Sequence, residues 1–104
     1  MDRIKYLLEL YEQDSSDTFT QFALGFEYHK KGQLLDALRW YESILHSDPD
    51  YTGLYFHLGR LYVDLGRTKD AKTIYEKGIQ ICTRCNQLKD LGELQQALME
   101  LDYD

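Results

Sequence analysis

Residues 18–51, TFTQFALGFEYHKKGQLLDALRWYESILHSDPDY, decide the fold once residues 52–85, TGLYFHLGRLYVDLGRTKDAKTIYEKGIQICTRC, are laid beneath them. Without a gap, ten of the 34 positions are identical, where chance gives roughly two. Thr18 pairs with Thr52, Phe22 with Phe56, Leu24 with Leu58, Gly25 with Gly59, Tyr28 with Tyr62 and Gly32 with Gly66. Asp36, Ala37, Tyr41 and Glu42 pair with Asp70, Ala71, Tyr75 and Glu76. Leu24, Gly25 and Tyr28 share a face of one predicted helix, while Ala37, Tyr41 and Ile44 share a face of a second. Gly32 lies between them, where a helix stops. Each copy is therefore a helix hairpin. Gly25 and Ala37 let its helices approach closely, and Tyr28 and Tyr41 fill the space above and below. Pro49, in HSDPDY, ends the second helix of the first copy and starts the next.

The flanks continue the pattern in fragments. Asp2, Leu7, Leu10 and Asp14 fall 34 residues before Asp36, Tyr41, Ile44 and Asp48, so a helix over about residues 2–13 acts as the second helix of a degenerate preceding unit. At the other end, LGELQQALMEL carries Leu91, Leu94, Leu98 and Leu101 at helical spacing. This amphipathic stretch, within residues 86–102, predicts a helix that covers the last hairpin, because a solenoid end left uncapped exposes its apolar face. The chain then reads as one all-α domain over 1–104, with an N-terminal helix at 2–14, repeats at 18–51 and 52–85, and a capping helix at 86–102.

With Leu-Gly, Tyr, Ala, aromatic and Pro at these offsets, the 34-residue period resembles the tetratricopeptide repeat family. The resemblance covers two full units, with Tyr55 where that family often carries Trp. It implies a right-handed stack of antiparallel helix hairpins. The departures are Gln21 where Tyr55 has its counterpart, Gly78 in the place of Ile44, and Thr83 in the place of proline. The last lets the helix of the second repeat run on to Cys85, before Asn86.

Turning the first helix at about 100° per residue with Phe19 at zero puts Phe22 at about 300° and Phe26 at about 340°, whereas Gln21, Leu24, Gly25 and Tyr28 fall between about 140° and 240°. Phe56 is in register with Phe22, so all four phenylalanines gather on one side of the first helices. The resemblance implies that this side lines the concave surface on which a peptide or helix of a partner lies. Phe19, Phe22, Phe26 and Phe56 then form a hydrophobic anchor cluster, rimmed by His29, Lys30, Arg60 and Asp64, a mixture that selects no charge sign. The alternative is that Leu7, Leu8 or Tyr11, or the leucines of the last helix, fill the groove from within. A branch of the family grips acidic chaperone tails with lysine, asparagine and arginine. Phe22, Phe26 and His57 stand where its groove-facing residues would be, so no such tail is expected to bind.

Composition narrows the classes. A net charge of −6 opposes phosphate-backbone contacts, which require clustered cations, and so argues against nucleic acid. No apolar stretch approaches the length of a signal core or a membrane span, giving a cytoplasmic expectation. Cys82 and Cys85, as CTRC, lack two further zinc ligands and fall at a helix end rather than a helix start, so they are expected as reduced thiols. His46 with Asp48 and Asp50 reads as a solvated turn, and Trp40 as packing at a helix edge. Glu100, Asp102 and Asp104 read as a frayed acidic tail. No nucleophile–base pair or glycine-rich phosphate loop occurs, so neither catalysis, metal nor cofactor is expected. The expected function is a protein–protein interaction module or adaptor. The alternative is a structural protein that forms a homodimer through the C-terminal leucines or the phenylalanine side.

Overall fold

The described residues form six helices: α1 (Arg3–Gln13), α2 (Thr18–Lys30), α3 (Leu34–Ser47), α4 (Leu54–Asp64), α5 (Thr68–Arg84) and α6 (Leu88–Asp102). The computed structural model describes residues 2–102, and no strand occurs among them. Two compact units result, Met1–Tyr51 carrying α1 to α3 and Thr52–Asp104 carrying α4 to α6.

In the first unit, short acidic side chains start α1 and α2. Asp2 accepts from the Ile4 amide at 3.1 Å, and Asp17 accepts from the Phe19 amide at 3.3 Å and the Thr20 hydroxyl at 2.6 Å, satisfying donors that a helix start leaves over. Gly32 ends the α2 turn with φ of +80°, and the Gln33 amide closes it by donating to the Tyr28 carbonyl at 3.0 Å. That left-handed position disfavours any residue with a Cβ.

Helix α2 is buried over most of its circumference, at Thr20, Gln21, Ala23, Leu24, Gly25 and Glu27. Against one side lies α3, whose Tyr41 ring rests on Gly25; a Cβ there would fall 2.6 Å from Tyr41 Cδ1. Against another lies α1, whose Ile4 and Leu7 cluster with Ala23 and Leu24. The Tyr11 ring meets Trp40 edge-on at 4.9 Å, which makes Trp40 a packing residue. Glu27 joins the helices electrically, with Arg3 Nε at 3.5 Å and Lys30 Nζ at 3.3 Å from its carboxylate.

The second unit repeats the hairpin. Gly66 has φ of +75°, Arg67 donates its amide to the Tyr62 carbonyl at 2.8 Å, and Tyr75 rests on Gly59 as Tyr41 does on Gly25. The period then breaks. Helix α5 has 17 residues against 14 in α3, because Thr83 does not stop it where proline would. The chain turns instead at Asn86, with φ of +57°, and Gln87 donates its amide to the Cys82 carbonyl at 2.9 Å. A hairpin-type turn thus folds α6 back on α5. Leu94 is fully buried there, and Leu91, Leu98 and Leu101 are half-buried. The threonine at the head of each repeat is held by an aspartate in both units, Thr18 by Asp48 at 2.8 Å and Thr52 by Asp90 of α6 at 2.7 Å.

The reading of Glu100 and Asp102 as a frayed tail is corrected. Both are exposed, but both belong to α6, because Leu98 and Leu101 keep its last turns against the unit and Lys72 approaches Asp102 at 3.9 Å. Asp104 lies outside the described residues. No helix among the described residues is long and apolar enough to cross a membrane.

Candidate functional site

The phenylalanines of α2 divide by environment. Phe19 is 62% exposed and Phe26 39%, while Phe22 is half-buried, its ring centroid 5.8 Å from that of Tyr41 and 5.7 Å from that of Tyr51. Lys30 is exposed, with Nζ 5.5 Å from the Phe26 centroid, a cation over a ring face. His29 is half-buried. Leu7 and Leu8 of α1, which the sequence offers as a filling for this side, cluster with Ala23 and Leu24.

In the second unit, a cavity of about 250 Å³ opens between α4, α5 and α6. Helix α4 lines it with Phe56, Arg60, Val63 and Asp64; α5 adds Tyr75, and α6 adds Ala97, Glu100 and Leu101. The Arg60 guanidinium stands 5.7 Å from the Phe56 centroid, and the His57 ring meets Phe56 edge-on at 5.4 Å. Burial pushes the Tyr75 phenol above its ordinary range; Arg60 pulls it back, and Glu100 and Asp64 push it further. Charge of both signs therefore acts on the phenol of one buried residue.

Of the residues named from the sequence, Phe56, Arg60 and Asp64 share this cavity. Phe19, Phe22, Phe26, His29 and Lys30 belong to α2 of the first unit. Sequence reasoning assigned none of Val63, Tyr75, Ala97 or Glu100 to the site, and it brought Leu101 in only with the last-helix leucines that would fill the groove from within. One usable signal existed: Leu94, Ala97 and Leu101 form a stripe at helical spacing, and Glu100 stands at its edge.

Among the described residues no three His, Cys, Asp or Glu side chains are grouped to hold a metal ion. Cys82 is buried, and its thiol is pushed up by burial, then by Asp90 and Cys85, which favours the unreactive protonated form.

Comparison with known proteins gives a consistent likeness. A family model described as tetratricopeptide repeat matches residues 28–81. A crystal structure of a tetratricopeptide repeat domain protein from Salinibacter ruber is 42% identical, covering 83% of this chain and 96% of that one with a TM-score of 0.79. A protein of Bordetella parapertussis, solved in solution, superposes with a TM-score of 0.87 at 23% identity, over 99% of this chain and 90% of its own. PcrH, in complex with the chaperone binding region of PopD, has a TM-score of 0.87 at 17% identity, over 96% of this chain and 76% of its own. No curated protein matches the chain.

Proposed function

We propose that this chain, which belongs to the tetratricopeptide repeat family, is a non-enzymatic adaptor that binds a peptide or helix of another protein through the phenylalanine side of its repeats. The observation that carries this reading is the exposure of Phe19 and Phe26 on a helix whose other faces are buried. A phenylalanine ring moved from water into an interface contributes about 1.5 to 3 kcal/mol, and such rings dominate binding where they cluster. In the first unit Phe19, Phe22 and Phe26 act as anchors beside His29 and Lys30. In the second, Phe56 acts with Arg60 and Asp64. The fold shared with PcrH, which is held with a region of PopD, supports a protein segment as the kind of partner.

Phe22 has one side on Tyr41 and Tyr51, so Phe26→Asp tests the surface with less risk to the core. It is expected to abolish partner capture and keep the helical circular dichroism of the wild type, whereas Ala37→Asp unfolds the chain. Retention of capture by folded Phe26→Asp overturns the reading.

Self-association is the competing use of the same surfaces. Leu94 is fully buried within its unit, but Leu91, Leu98 and Leu101 are half-buried, so both the leucine series of α6 and the phenylalanine side are open to a homodimer. Sedimentation over a wide concentration range separates the readings: a constant monomer removes this one.

A further inference from the structure

We propose that the cavity of the second unit takes a lysine or arginine side chain of the partner segment, with Asp64 and Glu100 receiving its charge. This rests on the reading above and specifies the chemistry of one place in it.

Size limits the occupant first. At about 250 Å³ the cavity lies just below the roughly 300 to 1,000 Å³ of sites that enclose whole small molecules, and it suits one long side chain. Its walls set the next limit. The rings of Phe56 and Tyr75 and the side chains of Ala97 and Leu101 offer apolar surface of the kind that covers a methylene stem while the charged head stays at the water edge.

Charge completes the argument. Asp64 and Glu100 come from different helices and line the same cavity. Among the described lining residues, two carboxylates and one guanidinium stand around the cavity, and that guanidinium already lies over Phe56. The Tyr75 hydroxyl senses both carboxylates, each of which opposes its ionisation after burial has raised it, with Arg60 acting the other way. An acidic side chain entering here would meet two like charges. A purely apolar one would strip water from the carboxylates and return nothing. A basic side chain matches both the stem-lining walls and the carboxylates, which outnumber cations among the described lining residues, and the net charge of −6 draws such a segment in. From the sequence the rim shows no preferred sign; Glu100 supplies it.

The test is a nuclear magnetic resonance titration of the full, isotope-labelled chain with four acetylated and amidated heptapeptides, Ser-Ala-Leu-Xaa-Leu-Ala-Ser, in which Xaa is Lys, Arg, Gln or Glu. The Lys and Arg peptides are expected to shift the amides around Arg60, Asp64 and Glu100, and to bind there at least about tenfold more tightly than the Glu peptide. Glu100→Lys, at an exposed position, is expected to reverse the order. Equal binding of the Gln or Glu peptide at these residues overturns the charge assignment and leaves the adaptor reading standing. So do shifts confined to Phe19 and Phe26. Absence of any shift with all four peptides overturns the assignment and counts against the adaptor reading as well.

Discussion

Tyr55 occupies the space that a side chain at residue 78 would need: a Cβ built on Gly78 falls 2.5 Å from Tyr55 Cβ and 2.9 Å from Leu94 Cδ1. The first repeat has the opposite pair, Gln21 and Ile44. There Gln21 is buried by hydrogen bonds, donating to the Ser15 carbonyl at 3.0 Å and accepting from the Ser43 hydroxyl at 3.2 Å, and Ile44 is fully buried. Two departures from the repeat pattern are therefore one exchange of volume across a hairpin. Room beneath Tyr55 also admits Leu94 and so seats α6.

Gly78→Ala is accordingly expected to destabilise the chain by about 1 to 3 kcal/mol through overpacking, although alanine raises intrinsic helix propensity. Tyr55→Gln should cost less in the Gly78→Ala background than in the wild type, with a coupling of at least about 0.5 kcal/mol in a denaturation cycle. Additive effects would show that the two positions do not share space.

Leu94→Ala removes the side chain that holds α6. Its fully buried position gives an expected loss of about 2 to 5 kcal/mol, with hydrogen-exchange protection lost first over residues 88–102. Protection unchanged there would contradict the packing of α6 on Gly78.

Tyr41 carries a hydroxyl that is buried without a hydrogen-bond partner among the described residues. Burial pushes its ionisation well above the ordinary value of 10.0. Below that value folded and unfolded chains both keep the proton, so this group adds no pH dependence. As pH rises past it, the unfolded chain releases the proton and the folded chain retains it, so stability falls. Tyr41→Phe is expected to raise stability at neutral pH by roughly 1 kcal/mol and to weaken the alkaline loss in urea titrations above pH about 10. An unchanged alkaline limb would contradict the assignment.

Glu27 is nearly buried and faces both Arg3 and Lys30. Glu27→Gln keeps its shape and removes its charge, and is expected to cost about 1 kcal/mol, since pairs with one partner exposed contribute little more. Amide exchange should rise in α1 before α3. A uniform change along the chain would show that Glu27 does not anchor α1.

The legible part of the fold is the part that repeats. Gly32 and Gly66 mark turns because only the left-handed conformation requires glycine there, and Gly25 and Gly59 mark close approach because a tyrosine recurs 16 residues later in each copy. Gly78 and Gln21 read as separate irregularities in a single sequence, which does not show that Gly78 lies against Tyr55 or that Gln21 bonds Ser43. The extension of α5 to Arg84 depends on Asn86 accepting a left-handed turn, which asparagine does less often than glycine. At the site, helical angles separated Phe19, Phe22 and Phe26 from the packing residues, but half-burial of Phe22 depends on Tyr51, beyond the end of α3. Glu100 was hidden because its place is set by the rotation of α6, and that rotation is set by Leu94 against Gly78.

The proposed function turns on the binding of another protein by the exposed rings of α2. Its most direct measurement is quantitative capture from extracts of cells that express the chain, comparing wild type with the doubly substituted Phe19→Asp, Phe26→Asp protein after both are shown to be folded by circular dichroism. A protein other than the chain itself is expected to be retained near stoichiometrically by the wild type, with retention reduced at least about tenfold in the variant. Equal retention by both, or retention of nothing but further copies of the chain, would contradict it.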